Sequence, residues 1–273
     1  MVWPFKPKTH KQIARIEITG AIASDTRKRV LKALEIVKER QYPALLLRID
    51  SPGGTVGDSQ EIYEALKRLQ KNTKIIASFG NISASGGVYI AMGANYIMAN
   101  PSTITGSIGV ILRGNNLERL LDKVGVSFKV IKSGPYKDIL SFDRELTDEE
   151  ERILQDMIDT SYQQFLQTVA GARNLDVNQV KSFADGRIFT GQQALELGVV
   201  DRLGTEEDAR LWALELAGLP PDKTKCQTIE EPKPLLSRLT GNRSQIPPGL
   251  QKTLQRLEFE LEVNGQLLWL YRP

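Results

Sequence analysis

The chain has 273 residues, 41% of them apolar and 25% charged, with a mean hydropathy of −0.27. That is enough apolar material for a sizeable core in one or two domains, and it excludes the disordered, collagen-like and disulfide-scaffold classes. A formal charge of +3 and a pI near 8.8 are too mild to call for nucleic acid as a partner.

In chain order, Ile13 to Ile18 alternates like a strand, and Asp25 to Arg40 places Val30, Leu31, Leu34 and Val37 on one helical face. Ala44 to Ile49 is an almost unbroken apolar run of strand length that ends in Asp50-Ser51-Pro52-Gly53-Gly54, and Ile62, Leu66 and Leu69 mark the next helix. Thr73 to Phe79 reads as a third strand, followed by the turn Gly80 to Gly87, a short apolar helix to about Gly93 and a fourth strand at Asn95 to Ala99. Further on, Leu117, Leu120, Leu121 and Val124 form a helical stripe, and Ser127 to Lys132 is expected as a strand leading to Ser133-Gly134-Pro135-Tyr136-Lys137-Asp138. Thr147 with Glu150 is a capping box that opens a helix to about Arg173, and Thr190 to Leu197 reads as another helix. Strands alternating with helices imply right-handed crossovers and a mostly parallel sheet. From about Pro220 prolines punctuate a polar stretch, so 220 to 250 reads as a linker or surface arm before the apolar Leu267-Leu268-Trp269-Leu270-Tyr271.

From Ile75 to Leu112 the chain has no Asp, Glu, Lys or Arg, which by length suggests a membrane span. Its glycines, asparagines and Pro101 break any helix of about 20 apolar residues, so it is expected as buried core with irregular turns. The N-terminus, Met-Val-Trp-Pro-Phe-Lys-Pro-Lys, lacks the apolar stretch of a signal peptide. The expected location is therefore cytoplasmic or peripheral to a membrane.

The chemistry is bounded by scarcity. One cysteine, Cys226, and one histidine, His10, cannot form an intramolecular disulfide or a Cys/His zinc site. His10 stands in a polar terminal stretch, so a nucleophile is expected to take its base from Lys, Asp or Glu. Ser51-Pro52-Gly53-Gly54 follows a buried strand, where open α/β sheets bind ligands, although Pro-Gly is also a common turn pair. The loop continues Thr55-Val56-Gly57-Asp58, which is not a Walker phosphate loop. Ser85-Gly86-Gly87 sits at a second strand-to-helix turn; Ser85 there suits either a nucleophile or a helix N-cap. The amide of Gly86 and one from the Gly53-Gly54 turn could bind the oxyanion of a tetrahedral intermediate. Lys137 follows a Gly-Pro turn and could act as a base only if burial lowered its pKa far below about 10.4.

Together these pieces resemble the bacterial signal peptide peptidases of the protease IV type (SppA-like), Ser-Lys serine proteases related in fold to the Clp protease proteolytic subunit and to crotonases. The resemblance spans roughly Ile13 to Leu203 and rests on Arg48 to Gly54, Ser83 to Gly87, Ile104 to Val110, Ser133 to Asp138 and Asp185 to Gly191. It implies a ββα spiral core with flanking helices over residues 13–219, between an N-terminal arm, 1–12, and a Pro-rich C-terminal arm and terminal segment, 220–273. It implies Ser85 as nucleophile, Lys137 as general base, Gly53 and Gly86 as oxyanion donors with Gly54 beside them, and no cofactor or metal. Ser83 and Ser107 are candidates to orient Lys137. The substrates implied are signal-peptide remnants with small or apolar side chains. The implied assembly is a ring, octameric, in which serine and lysine meet across a subunit interface. Lys6, Lys8, Lys11 and Arg15 beside Trp3 and Phe5 suggest weak contact with a membrane surface. The rival readings are a non-catalytic oligomeric scaffold of the same fold and a crotonase-like acyl-CoA hydrolase or isomerase.

Overall fold

Short apolar runs become strands because their β-branched and leucine side chains pack on both faces of a covered sheet, and the amphipathic stretches between them become the covering helices. The computed structural model describes residues 11–229 and 265–271. Its first half alternates β1 (Ile13–Thr19), α1 (Ser24–Glu39), β2 (Ala44–Ser51), β3 (Gly53–Thr55), α2 (Val56–Leu69), β4 (Lys74–Ala84), α3 (Gly86–Ala91) and β5 (Tyr96–Ala99). After β6 (Ile104–Gly106), β7 (Ile111–Leu112) and α4 (Glu118–Val124), helices dominate: α5 (Asp148–Arg173), α6 (Val177–Lys181), α7 (Gly191–Glu196) and α8 (Glu206–Leu216). The short strands β8 (Ile188–Thr190), β9 (Arg202–Leu203), β10 (Cys226–Thr228) and β11 (Leu267–Leu270) complete the described elements.

The main sheet runs β10-β1-β2-β4-β5-β9 with parallel pairing throughout. Parallel pairing needs cover on both faces. One face packs under α1, α2, α3 and α5 through Ile49, Val30, Ile62, Val88, Phe165 and Val169, all fully buried. The other face, with Ile13, Leu46 and Ile76, is covered by Trp212, Ala213 and Leu214 of α8. The capping box on α5 forms as expected: Glu150 N–H donates to Thr147 Oγ1 at 3.2 Å and Thr147 N–H to Glu150 Oε2 at 2.9 Å. Thr190 makes an equivalent cap on α7.

The position of the site depends on β4, which outruns its sequence expectation by continuing from Phe79 to Ala84. Its first part pairs with β2 and β5, and its last part, Ile82–Ala84, pairs with β6. The change of partner coincides with a register shift between Ile49 and Ser51, where the Asp50 carboxylate accepts from Ile82 N–H at 3.1 Å. A strand that trades a main-chain partner for a side-chain carboxylate keeps its amides satisfied while it bends away. The charge-free run is thus core and turns, as its glycines implied. Among the described residues no helix is long and apolar enough to cross a membrane.

Two expectations differ. Ser127–Lys132 forms no strand: Phe128 is 54% and Ile131 91% exposed, and a strand without a partner leaves its main chain unpaired. The stripe on α4 is helical as expected, and Leu120 and Val124 on it are exposed. Residues 220–229, read as the start of a linker, include β10, which pairs with β1. Residues 1–10, including His10, and 230–264 lie outside the described residues. Because Leu47 is fully buried at the centre of β2, Leu47→Ala is expected to cost about 2–5 kcal/mol, read as a lower urea midpoint at unchanged m-value.

Candidate active site

Ser85 is the single residue between the end of β4 and the start of α3, and it holds φ 53°, ψ −114°. A non-glycine residue with positive φ stores roughly 1–3 kcal/mol of strain, kept only where neighbours enforce it. Here Ser85 N–H donates to Gly106 O at 2.8 Å, and Tyr89 N–H donates to Ser85 O at 3.0 Å. Its side chain is 1% exposed, makes no capping bond to α3 and has no hydrogen-bond partner for Oγ among the described residues. The N-cap explanation of this serine therefore fails. A buried hydroxyl left unpaired costs about 1–3 kcal/mol, which marks a group held for something other than stability.

Three glycine backbones converge on that turn. At Gly53, φ +99°, an added Cβ would stand 2.7 Å from Gly86 N and 2.0 Å from Trp269 O. At Gly54 it would stand 1.9 Å from Ile22 O, so neither position admits a side chain. Gly86 opens α3, where main-chain N–H groups lack partners within the helix and present partial positive charge. The Gly53 N–H is already engaged, donating to Ser51 Oγ at 3.1 Å. It becomes free for a ligand only when the Ser51 hydroxyl turns away. Ser51, as the acceptor on this amide, was not legible in a motif that reads as a simple turn.

The lysine lies elsewhere. Lys137 is exposed, sits in a turn in which its N–H donates to Gly134 O at 3.3 Å, and forms no ion pair with any described residue. The single chain makes no hydrogen bond between Lys137 and Ser85. The turn itself is pinned by the neighbouring Asp138, which accepts from Lys132 Nζ at 2.6 Å and Arg144 Nη2 at 2.8 Å. Those bonds, Arg144 first, hold its carboxyl well below the usual carboxylate range. Arg144 also donates to Glu150 Oε2 at 2.8 Å, fastening the turn to the start of α5 and lowering the Glu150 pKa to about 2. Of the two candidate orienting serines, Ser83 is fully buried with no partner for Oγ among the described residues, and Ser107 is nearly buried at φ 50°. Cys226 has its thiol pushed up to about 11 by burial, which keeps it protonated and poorly nucleophilic.

Comparison with known proteins identifies the family. The model of peptidase family S49 matches residues 67–220, and a Clp protease model matches residues 9–104. The chain belongs to peptidase family S49 and is an SppA-like protease. It is 72% identical over 277 residues to a putative protease of Synechocystis sp., covering 100% of both chains. It is 36% identical over 259 residues to a putative signal peptide peptidase SppA of Enterococcus faecium, covering 90% of this chain and 75% of that protein. The mixed α/β fold is that of the Clp proteases. A ClpP1 mutant from Listeria monocytogenes superposes with a TM-score of 0.51 at 17% identity, over 72% of this chain and 94% of that one. A membrane-bound stomatin-specific protease gives 0.52 at 16%, over 82% and 94%.

The Arg144–Glu150 contact gives a pH signature. A carboxyl whose folded pKa lies below its ordinary 4.5 contributes stability that is present above about pH 4.5 and lost as pH falls towards about 2. Glu150→Gln is expected to melt below the wild type at neutral pH, with the gap closing between those two values in a thermal-melt series.

Proposed function

We propose that this protease is a serine endopeptidase with a Ser-Lys dyad that degrades signal-peptide remnants and similar apolar peptides. The observation that carries the reading is the Ser85 hydroxyl: buried, unpartnered, on a strained turn and next to the converging Gly53 and Gly86 backbones. In this reading Ser85 Oγ attacks the scissile carbonyl and its proton passes to Lys137, which delivers it to the leaving amine. Water then attacks the acyl-enzyme, with Lys137 as base again. The N–H of Gly86, joined by that of Gly53 once Ser51 releases it, stabilises the tetrahedral oxyanion. One such donor is worth about 3–4 kcal/mol in other serine proteases. The chemistry calls for no metal or organic cofactor.

An amine acts as a base only in its neutral form, which burial in an apolar setting favours, and the chain offers a reason for Lys137 to be covered. Phe128, Val130, Ile131 and Tyr136, on the same segment as Lys137, are exposed apolar side chains of the kind another protein surface covers. A second copy seated there buries the lysine and brings it to its own Ser85, so that each site spans two subunits of a ring, octameric by analogy with the family. Ser83 or Ser107 then orients the ammonium.

The test is hydrolysis of an apolar signal-peptide-like peptide. Ser85→Ala and Lys137→Ala are each expected to lower kcat/KM by a factor on the order of 10^4 or more. Mixing and reassembling the two inactive variants is expected to restore part of the activity, because some interfaces then pair an intact serine with an intact lysine. Full activity in Ser85→Ala would overturn the assignment.

A further inference from the structure

Three strand ends meet beneath the Ser85 turn, and their side chains form a row of hydroxyls. Ser51 at the end of β2 is the register partner of Ser83 on β4, and Ser83 is the partner of Thr105 on β6, both in parallel pairing. Partners in a parallel pair point to the same face of the sheet, on strands about 4.8 Å apart. All three side chains are fully buried. Thr105 is satisfied, its Oγ1 donating to Ser83 O at 2.6 Å. Ser51 is half satisfied: its Oγ accepts from Gly53 N–H at 3.1 Å, and its own proton reaches no acceptor among the described residues. Ser83 Oγ has no partner at all among the described residues.

A hydroxyl proton without an acceptor and a hydroxyl oxygen without a donor thus stand side by side on adjacent strands. They also border one space. A Cβ on Gly87 would stand 3.2 Å from Ser51 O and 3.3 Å from Ser83 Oγ, so the lack of a side chain there keeps room beside both. Rotation of the Ser51 hydroxyl between staggered wells, from the Gly53 amide to Ser83, exchanges one neutral hydrogen bond for another in the same dry setting. The two positions are therefore close in energy. What tips the balance is charge, because an oxyanion on Gly53 N–H makes a charge-assisted bond, roughly twice as strong as the neutral bond to Ser51.

We infer that Ser51 is a positioning residue that works as a two-position latch on the oxyanion amide, with Ser83 as its second seat. Closed, the Ser51 hydroxyl holds Gly53 N–H; open, it donates to Ser83 Oγ, and Gly53 N–H passes to the oxygen of the substrate carbonyl. Ser83 is thereby assigned to the latch, which leaves Ser107 as the serine beside Lys137. For its effect on turnover the inference rests on the peptidase reading of Ser85, but the state of the Gly53 amide can be read without turnover. A serine that merely closes its own turn would hold the same amide, and what separates the two cases is Ser83.

The test uses full-length Ser51→Ala, Ser83→Ala and the double variant. Without substrate, hydrogen exchange at the Gly53 amide is expected to be about tenfold faster in Ser51→Ala, which removes the acceptor, and about tenfold slower in Ser83→Ala, which removes the second seat. In hydrolysis of the apolar peptide, Ser83→Ala is expected to lower kcat about tenfold with KM and melting temperature unchanged, and Ser51→Ala to raise kcat about threefold. In the Ser51→Ala background Ser83→Ala is expected to have no further effect, since no latch remains to seat. Two results overturn the inference. One is a Ser83→Ala that matches wild type in exchange and kcat, the mark of a simple turn. The other is a Ser83→Ala that shifts the pH profile of kcat/KM with or without Ser51, the mark of a serine acting on Lys137. Should Ser51→Ala fail to fold, Ser83→Ala alone decides: exchange and kcat falling together at an unchanged pH profile sustain the latch. If Gly53 exchange responds as expected and even wild type cuts nothing, the latch stands and the peptidase reading falls. If wild type cuts and Ser83→Ala equals it in both readouts, the peptidase reading stands and the latch falls.

Discussion

The pairing of β2 with β4, and the point at which it breaks, organises everything around the site. From Ala44 to Ile49 the two strands run in parallel register, and then the register shifts before Ser51 meets Ser83. Asp50 makes the break tolerable by accepting the Ile82 amide that the ladder no longer serves. Freed from β5, the end of β4 follows β6 and delivers Ser83, Ala84 and Ser85 to the mouth of the Gly53 turn. Without that switch of partner, Ser85 and Gly53 would belong to two separate strand ends. With it, the second and third strand-to-helix turns of the fold become one site.

Around that mouth the chain departs repeatedly from what stability alone would select. Ser85 and Ser107 hold positive φ, Ser83 and Ser85 bury hydroxyls with no partner among the described residues, and Gly53 and Gly54 leave no room for a side chain. Each departure has a modest cost, and their concentration within a few residues of one turn is the pattern expected where function overrides local preference. The opposite face of the sheet, under α8, is conventional by comparison: alternating apolar side chains meet Trp212 and Leu214.

The segment between β7 and α5 follows a different logic. Its polar groups are well tied, with Asp138, Arg144 and Glu150 linking the Lys137 turn to a capped helix. Its apolar groups are covered less: Phe128 meets Phe142 edge-on, yet Leu120, Val124, Phe128 and Ile131 are all exposed. Ion pairs and caps are satisfied within a few residues of each other, whereas a stripe of leucines and valines is satisfied only by another surface. This is why the same periodicity that located α1 and α2 also located α4 without indicating what α4 packs against.

Local signals therefore made much of the fold legible. Alternation and apolar runs located β1, β2 and β5, helical periodicity located α1 and α2, and the Thr147 and Thr190 boxes located α5 and α7, because each depends on residues within a turn or two of one another. Chemical elimination was equally local: one histidine and one cysteine turn attention to Lys, Asp or Glu as the base, while the pairing of Ser85 with Lys137 is what the family resemblance implies. Short strands such as β3, β6 and β10 were not legible, since three residues become a strand only when a distant partner completes their hydrogen bonds. The sequence by itself determined the order of the longer elements, the sheet class and the residue types at the candidate site. Only the tertiary structure decided that Gly53 N–H is engaged by Ser51, that Ser85 Oγ has no partner among the described residues, and that a distant apolar run, Leu267–Leu270, lies along β3. The physical reason is that main-chain pairing and close backbone approach are set by what comes together in space, which no window of neighbouring residues contains.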